Sequence, residues 1–238
     1  MSLPKPYYNE SGITIYHGDC KEILPHLEPV DLVLTDPPYE QNKTGGGIYR
    51  RRPTYKEIGK NLSSFNPDEY WDLLSKASKN THGYIFTSKS CLRSFITLAE
   101  TSDLNWDILI YGKNNPIPTK NNRYLSSFEY IFFYRGKDCY WNNETNYKYY
   151  SKIKMVNCMP SQFGHPTEKS ISVLSEMINV STKDDHTILD PFIGSGTTLV
   201  AAKTLGRKAI GIEIEEKYCE VAVKRLRQEV LDFKEAIK

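Results

Sequence analysis

The chain has 238 residues, with 31 Lys and Arg against 29 Asp and Glu, for a formal charge of +2 at neutral pH. That length fits one α/β domain with a small inserted lobe, and the even charge balance excludes a whole-protein field as the means of gathering a polyanion. No run approaches the ~18 apolar residues of a membrane span, and the N-terminus lacks an apolar signal core. Five scattered cysteines (Cys20, Cys91, Cys139, Cys158, Cys219) include no C-x-x-C pair. Neither a disulfide framework nor a zinc site is expected, and a soluble protein of a reducing cytoplasm is.

In chain order, Ile13–His17 reads as a strand and Lys21–Leu27 as a short helix. Between them, Gly18-Asp19-Cys20 offers Asp19 as a helix N-cap. Asp31–Thr35 is a buried strand that feeds Asp36-Pro37-Pro38-Tyr39. The Asp36 carboxylate and the Pro37 carbonyl are both acceptors, able to hold the two hydrogens of a planar NH2. Proline has no N–H to compete for them and keeps its own backbone angle fixed. Tyr39 adds a flat face for stacking. The plainer reading is a strand ending in a Pro-Pro turn. Residues 41–66 follow as a polar loop. Its Gly45-Gly46-Gly47 gives hinge freedom and its Arg50, Arg51 and Arg52 suit phosphate contact, against a solvated charge run as the plainer reading.

Asp68–Lys79 reads as a helix opened by Asn66-Pro67, His82–Thr87 as a strand, and Cys91–Glu100 as a helix. Trp106–Tyr111 and Ser127–Tyr134 are strands. The segment Gly112–Gly164 carries more Lys and Arg than acids, interleaved with Tyr and Trp. Thr167–Val180 reads as a helix with Ile171, Leu174 and Ile178 on one face and the Thr167 hydroxyl as its N-cap candidate. Thr187–Asp190 is a strand followed by Pro191-Phe192-Ile193-Gly194-Ser195-Gly196-Thr197-Thr198 and an amphipathic helix over Leu199–Leu205. Strand, glycine loop and helix together let backbone approach a ligand at a helix N-terminus. Two of the three glycines of a dinucleotide loop are present, and no Gly-Lys-Ser/Thr follows, so it is not a triphosphate loop.

Lys208–Ile214 is a further strand with Glu213 near its end, about 20 residues beyond the loop, where such folds bind ribose hydroxyls. In the last helix, Cys219, Ala222, Val223, Leu226, Val230, Phe233 and Ile237 form a stripe for core packing. Alternating strands and helices predict a doubly wound, mostly parallel sheet, with Asp19, Asp36, Asp190 and Glu213 at the ligand-binding carboxyl ends of its strands.

Three blocks resemble the S-adenosylmethionine-dependent amino-methyltransferases of nucleic acid bases. Asp36-Pro37-Pro38-Tyr39 resembles their catalytic motif and Asp190–Thr198 their cofactor loop. His165-Pro166-Thr167-Glu168-Lys169 resembles the helix-opening motif before that loop. Catalytic block first and cofactor block last is the order of the β group, the DPPY-type DNA amino-methyltransferases. The resemblance implies a Rossmann-like fold with a seven-stranded sheet, residues 112–164 as a small inserted target-recognition segment, and 41–66 as a mobile loop closing on DNA.

It also implies roles. Asp36, Pro37, Pro38 and Tyr39 would be catalytic. Asp19, Cys20, Asp36, His165, Thr167, Lys169, Asp190, Pro191, Phe192, Gly194, Ser195, Gly196, Thr197, Thr198 and Glu213 would bind the cofactor. Arg50, Arg51, Arg52, Lys113, Asn115, Lys120 and Arg123 would meet nucleic acid, since Lys113-Asn114-Asn115-Pro116-Ile117-Pro118 is similar to a family stretch near the flipped base. The implied activity is site-specific methylation of adenine N6 in double-stranded DNA, with cytosine N4 in DNA or adenine N6 in RNA as alternatives. No metal and no membrane enters. A homodimer and a cognate restriction endonuclease are partners the resemblance admits, in a prokaryotic or virus-infected cytoplasm.

Overall fold

The computed structural model describes residues 3–38, 66–116, 124, 125, 127–157 and 168–235, with side chains as far as residue 228. Its strands are β1 (Tyr8–Glu10), β2 (Ile13–His17), β3 (Leu32–Thr35), β4 (His82–Thr87), β5 (Asn105–Lys113), β6 (Phe128–Arg135), β7 (Ile153–Val156), β8 (Thr187–Asp190) and β9 (Lys208–Glu213). Its helices are α1 (Cys20–Ile23), α2 (Pro67–Lys76), α3 (Lys89–Thr101), α4 (Ile171–Ser181), α5 (Thr197–Thr204) and α6 (Glu216–Glu235).

All nine strands among the described residues join one sheet in the order β1-β2-β9-β8-β3-β4-β6-β5-β7. The seven from β2 to β5 form the expected doubly wound core, parallel from β2 to β4. β6 runs antiparallel to both its neighbours. The expected count of seven is too low because each edge carries a further short strand. β1 pairs antiparallel with β2 across a Ser11-Gly12 turn whose φ values are both positive. β7 pairs parallel with β5. Strands of three and four residues leave too few positions for alternation to register in the sequence.

Each face of the sheet has its own core. One face gathers Ile13, Ile15, Leu32, Leu34, Phe86, Ile131 and Ile188 beneath α4, α5 and α6. The other gathers Val33, Ile85, Phe132, Tyr134, Leu189 and Ile212 beneath α1, α2 and α3. Leu32, Val33 and Leu34 are all fully buried, as a strand covered on both faces requires.

Helix limits depart from the sequence reading for local reasons. The Asn66 side chain accepts from the Asp68 amide and Pro67 opens α2, but the helix stops at Lys76, not Lys79. There Val30 captures the chain, donating to the Ala77 carbonyl and accepting from the Lys79 amide, both at 2.8 Å. α4 begins at Ile171, not Thr167, with Ser170 as its N-cap. Glu168, Lys169 and Ser170 are irregular because each is anchored elsewhere: Glu168 to Arg225, Lys169 to Asp36, and the Ser170 amide to the Tyr111 hydroxyl.

α5 is not amphipathic. Thr197 to Ala202 are all buried, because the helix lies between the sheet and its neighbours α4 and α6. The α6 stripe holds for Cys219, Ala222 and Leu226, all fully buried, with Val223 half-buried. Val230, Phe233 and Ile237 fall outside the described side chains. No helix among the described residues is long and apolar enough to cross a membrane.

Candidate active site

Because β2, β9, β8 and β3 run parallel and side by side, their carboxyl ends share one edge of the sheet. Along that edge stand Asp19, just beyond β2, then Glu213, Asp190 and Asp36, an order unlike that of the chain. Asp190 and Asp36 thus occupy neighbouring strands, although 154 positions separate them in sequence. A buried bond closes the junction: the Thr35 hydroxyl donates to Asp190 Oδ1 at 2.8 Å.

The glycine loop is fixed by acceptors at both sides. Asp190 Oδ1 also accepts from the Phe192 amide at 3.1 Å, and Glu213 Oε2 accepts from the Gly194 amide at 2.9 Å. Glu213 Oε1 takes the Glu215 amide at 2.9 Å, so this carboxylate ties the loop to the start of α6. Gly196 is the N-cap of α5 in the left-handed region, at φ +81°. A Cβ there would stand 2.7 Å from Ala222 Cβ, so only glycine lets the loop lie on α6.

Burial sets the electrostatics. It raises Asp190 to about 6, against hydroxyls of Thr198 and Thr35 and the Phe192 amide, which favour the anion. Burial also raises Glu213, opposed by the Glu215 and Gly194 amides. Asp36 is raised by burial and held back by Lys169, whose ammonium lies 2.5 Å from Asp36 Oδ2. Lys169 is itself 8% exposed, touches Glu129 Oε2 at 3.1 Å and sits over the Phe86 ring at 4.9 Å. Lys113 Nζ meets Glu129 Oε1 at 2.5 Å. Burial would raise Glu129, but Lys169 and Lys113 outweigh it and bring the group down to about 2.

The remaining sequence-derived residues fall as follows. Asp19 caps α1, accepting from the Lys21 amide at 2.9 Å. Cys20 is buried, and desolvation together with the Asp19 charge lifts its thiol to about 12, so it is no nucleophile. Phe192 packs on Tyr70 of α2 with ring centroids 5.6 Å apart, and Lys21 lies over the same tyrosine at 4.9 Å. At the turns that follow their strands, Pro191 and Pro37 are buried and Pro38 is half-buried. Lys113, expected at nucleic acid, has its ammonium on Glu129, whereas Asn115 is exposed beyond β5. Tyr39, Arg50, Arg51, Arg52, Lys120, Arg123, His165 and Thr167 lie outside the described residues.

Two residues escape a reading of the sequence. Arg225, fully buried on α6, donates from one terminal nitrogen to the Ser195 carbonyl at 3.0 Å, to Ser195 Oγ at 2.9 Å and to Thr197 Oγ1 at 3.0 Å. Its other terminal nitrogen meets Glu168 at 2.7 Å. Its place beside Ala222 and Leu226 on the buried stripe was the available signal. Glu129 is the second, and its partners depend on sheet order alone.

Much of 136–156 packs rather than reaching out. Trp141 stacks on Tyr150 at 5.8 Å and meets Phe133 at 5.9 Å, and the buried Lys154 binds the Tyr149 carbonyl and Glu176. A surface depression lined by Glu28, Pro29, Val30, Lys79, Thr187 and Ile210 lies at the other edge of the sheet, away from the four acids.

Comparison with known proteins agrees with this architecture. The family profile for N6/N4 DNA methylases matches residues 30–224. The chain is 31% identical to the type II methyltransferase M2.DpnII of Streptococcus pneumoniae, covering 95% of this chain and 94% of that protein. It is 30% identical to M.HinfI of Haemophilus influenzae, covering 95% and 71% respectively. The crystal structure of an M1.HpyAVI–SAM complex superposes with a TM-score of 0.69 at 29% identity, over 90% of this chain and 98% of that one. The cytosine-N4-specific PvuII DNA methyltransferase shares the fold, with a TM-score of 0.69 at 17% identity, over 92% and 88%.

Proposed function

This chain belongs to the N6/N4 DNA methylase family, and from that premise we propose that it methylates the exocyclic N6 amine of adenine in double-stranded DNA, with S-adenosylmethionine as donor. The observation that carries this reading is the meeting of Asp36 and Asp190 on neighbouring strands, joined through Thr35.

The side chains present suit that donor. The buried Asp190 and the half-buried Asp36 carboxylates match an ammonium, Lys169 matches a carboxylate, and the two oxygens of Glu213, each with a lone pair beyond its amide bond, match a diol. Asp19 stands one strand further along for the adenine end. When bound, the donor supplies an electrophilic methyl group on a sulfonium.

The chain's own residues would then act on the acceptor. The nitrogen of an aromatic amine is a poor nucleophile because its lone pair is delocalised into the ring. A base inside a duplex must first be extruded, at a cost of a few kcal/mol. Asp36 and the Pro37 carbonyl accept the two N–H bonds, which favours a pyramidal nitrogen with its lone pair free. Burial has made Asp36 a stronger base than a solvated aspartate, so it is a better acceptor for that proton. Tyr39 provides the stacking face. No covalent enzyme intermediate is needed, and positioning with fixed dipoles supplies the rate.

Asp at the first position of the catalytic motif favours adenine over cytosine. The loop 41–66, with Arg50, Arg51 and Arg52, and the segment 112–164, with Asn115, Lys120 and Arg123, would supply phosphate contact and base readout.

The test is tritium transfer from labelled S-adenosylmethionine to duplex DNA, RNA and protein, followed by chromatography of the digested product. Label should appear in DNA as N6-methyladenine, and Asp36→Ala should abolish it. N4-methylcytosine would overturn the choice of base, and label in RNA alone would overturn the substrate class.

A further inference from the structure

Four charged side chains of alternating sign form a row along the active edge of the sheet. Lys113 ends β5, Glu129 lies near the start of β6, Lys169 precedes α4 and Asp36 follows β3. The successive contacts are 2.5 Å, 3.1 Å and 2.5 Å. Their side chains are 27%, 21%, 8% and 24% exposed, so water screens them poorly. The row sums to zero charge, and its inner pair does not act alone, because the same Lys169 ammonium divides itself between two carboxylates.

We propose that Glu129 and Lys113 are positioning residues for Asp36: Glu129 draws the Lys169 ammonium partly off the acceptor carboxylate, and Lys113 sets how hard it pulls. The geometry explains why this is needed. A lysine bound to Asp36 alone would neutralise more of the negative charge that must attract an amine hydrogen. A lysine withdrawn entirely would leave a half-buried carboxylate to take up a proton, and the neutral acid is a weaker acceptor for the N–H. Sharing Lys169 with Glu129 keeps Asp36 ionised and still available. Among the described residues, the groups whose charges act on Asp36 are Lys169, Glu129 and Lys113, together with Asp190 on the adjacent strand. The proposal rests on the reading of Asp36 as the amine acceptor.

The row can be tested without DNA or cofactor, by carbon NMR titration of the Asp36 carboxyl in protein labelled at aspartate Cγ, with the resonance assigned through Asp36→Asn. Glu129→Gln removes a negative neighbour and should move the Asp36 midpoint down by about half a unit to one unit. Lys113→Gln removes a positive neighbour and should move it up by a similar amount. In methyl transfer, Glu129→Gln should lower kcat more than tenfold.

A purely structural role would leave the midpoint in place, or move it the same way in both single variants, and either outcome overturns the proposal. Lys113 is the more exposed end of the row, so its variant carries the titration if Glu129→Gln does not fold. Wild-type methyl transfer is the separate control. If the wild type transfers no methyl group while the midpoints shift as stated, the row stands and the reading of Asp36 as acceptor falls.

Discussion

The Thr35 hydroxyl and the Asp190 carboxylate, 155 positions apart, share a 2.8 Å hydrogen bond where two parallel strands end. This bond links the strand that feeds the proposed acceptor motif to the one that feeds the glycine loop. Asp190 is 3% exposed, so losing a donor is not made good by water. Thr35→Val should therefore cost about 1–3 kcal/mol in urea unfolding, the range for stripping a partner from a buried polar group. Thr35→Ser keeps the hydroxyl and should cost under about 1 kcal/mol, chiefly for the lost methyl. Equal losses in the two variants would mean that packing, not the hydrogen bond, joins the strand ends.

Asp190 gives a prediction whose sign depends on pH. Burial raises its folded-state value from the usual 3.8 to about 6. Between those values the folded protein binds the extra proton, so stability falls as pH rises through that window. The stabilising contribution is complete below about 3.8 and gone above about 6. Asp190→Asn removes this dependence while leaving Oδ1 to accept from Thr35 and Phe192. At pH 8 the variant should be more stable than wild type by on the order of 2 kcal/mol, and the advantage should vanish near pH 4. The same change removes a carboxylate proposed to face the donor's ammonium, so affinity for S-adenosylmethionine should fall about tenfold or more. Calorimetry across pH 4–8, with cofactor titration at pH 8, checks both. A variant less stable than wild type at pH 8 would contradict the account of Asp190.

Where the sequence was legible, the physics was local. β2, β4 and β8 begin and end where apolar runs meet glycine, charge or proline, and the four acidic strand ends follow from those limits. Three features depended on distant partners. β1 and β7 are strands only because β2 and β5 offer them free edges. The helix expected to open at Thr167 starts instead at Ile171, since Lys169 and Glu168 are held by Asp36 just after β3 and by residues of β6 and α6. The Lys113–Glu129–Lys169 row depends on β6 entering the sheet between β4 and β5, an order that no short-range pattern in the chain encodes.

Arg225 is the strongest case of a charge that composition would place in solvent. Its guanidinium is 2% exposed and holds Ser195, Thr197 and Glu168 together. Removing it leaves Glu168 without this partner and strips three acceptors in the loop. Arg225→Met preserves most of the volume yet should destabilise by about 3–5 kcal/mol, the scale for breaking a buried ion pair on one side. Arg225→Lys should not rescue it, because a single ammonium cannot span Glu168 and the loop as the fork does. Cofactor affinity should fall in both variants, since Ser195 and Thr197 lose their brace. Urea unfolding and isothermal titration read the two effects, and a lysine variant at wild-type stability would show that charge alone suffices.

Gly196 is constrained twice, and the two constraints can be separated. Its φ of +81° is one that L side chains adopt only with strain, and a Cβ would stand 2.7 Å from Ala222 Cβ on α6. Gly196→Ala should therefore lose about 1–2 kcal/mol to the left-handed backbone and a further 1–3 kcal/mol, roughly, to overpacking against α6. Ala222→Gly removes the facing methyl at a cost of about 1 kcal/mol for glycine inside a helix. Space for the new Cβ then exists, although the neighbouring Ala222 Cα, 3.2 Å away, remains close. The double variant should be more stable than the sum of the single losses by about 1 kcal/mol or more, with the backbone component left behind. Additive losses in urea unfolding would place the whole penalty in φ and none in the contact between the glycine loop and α6.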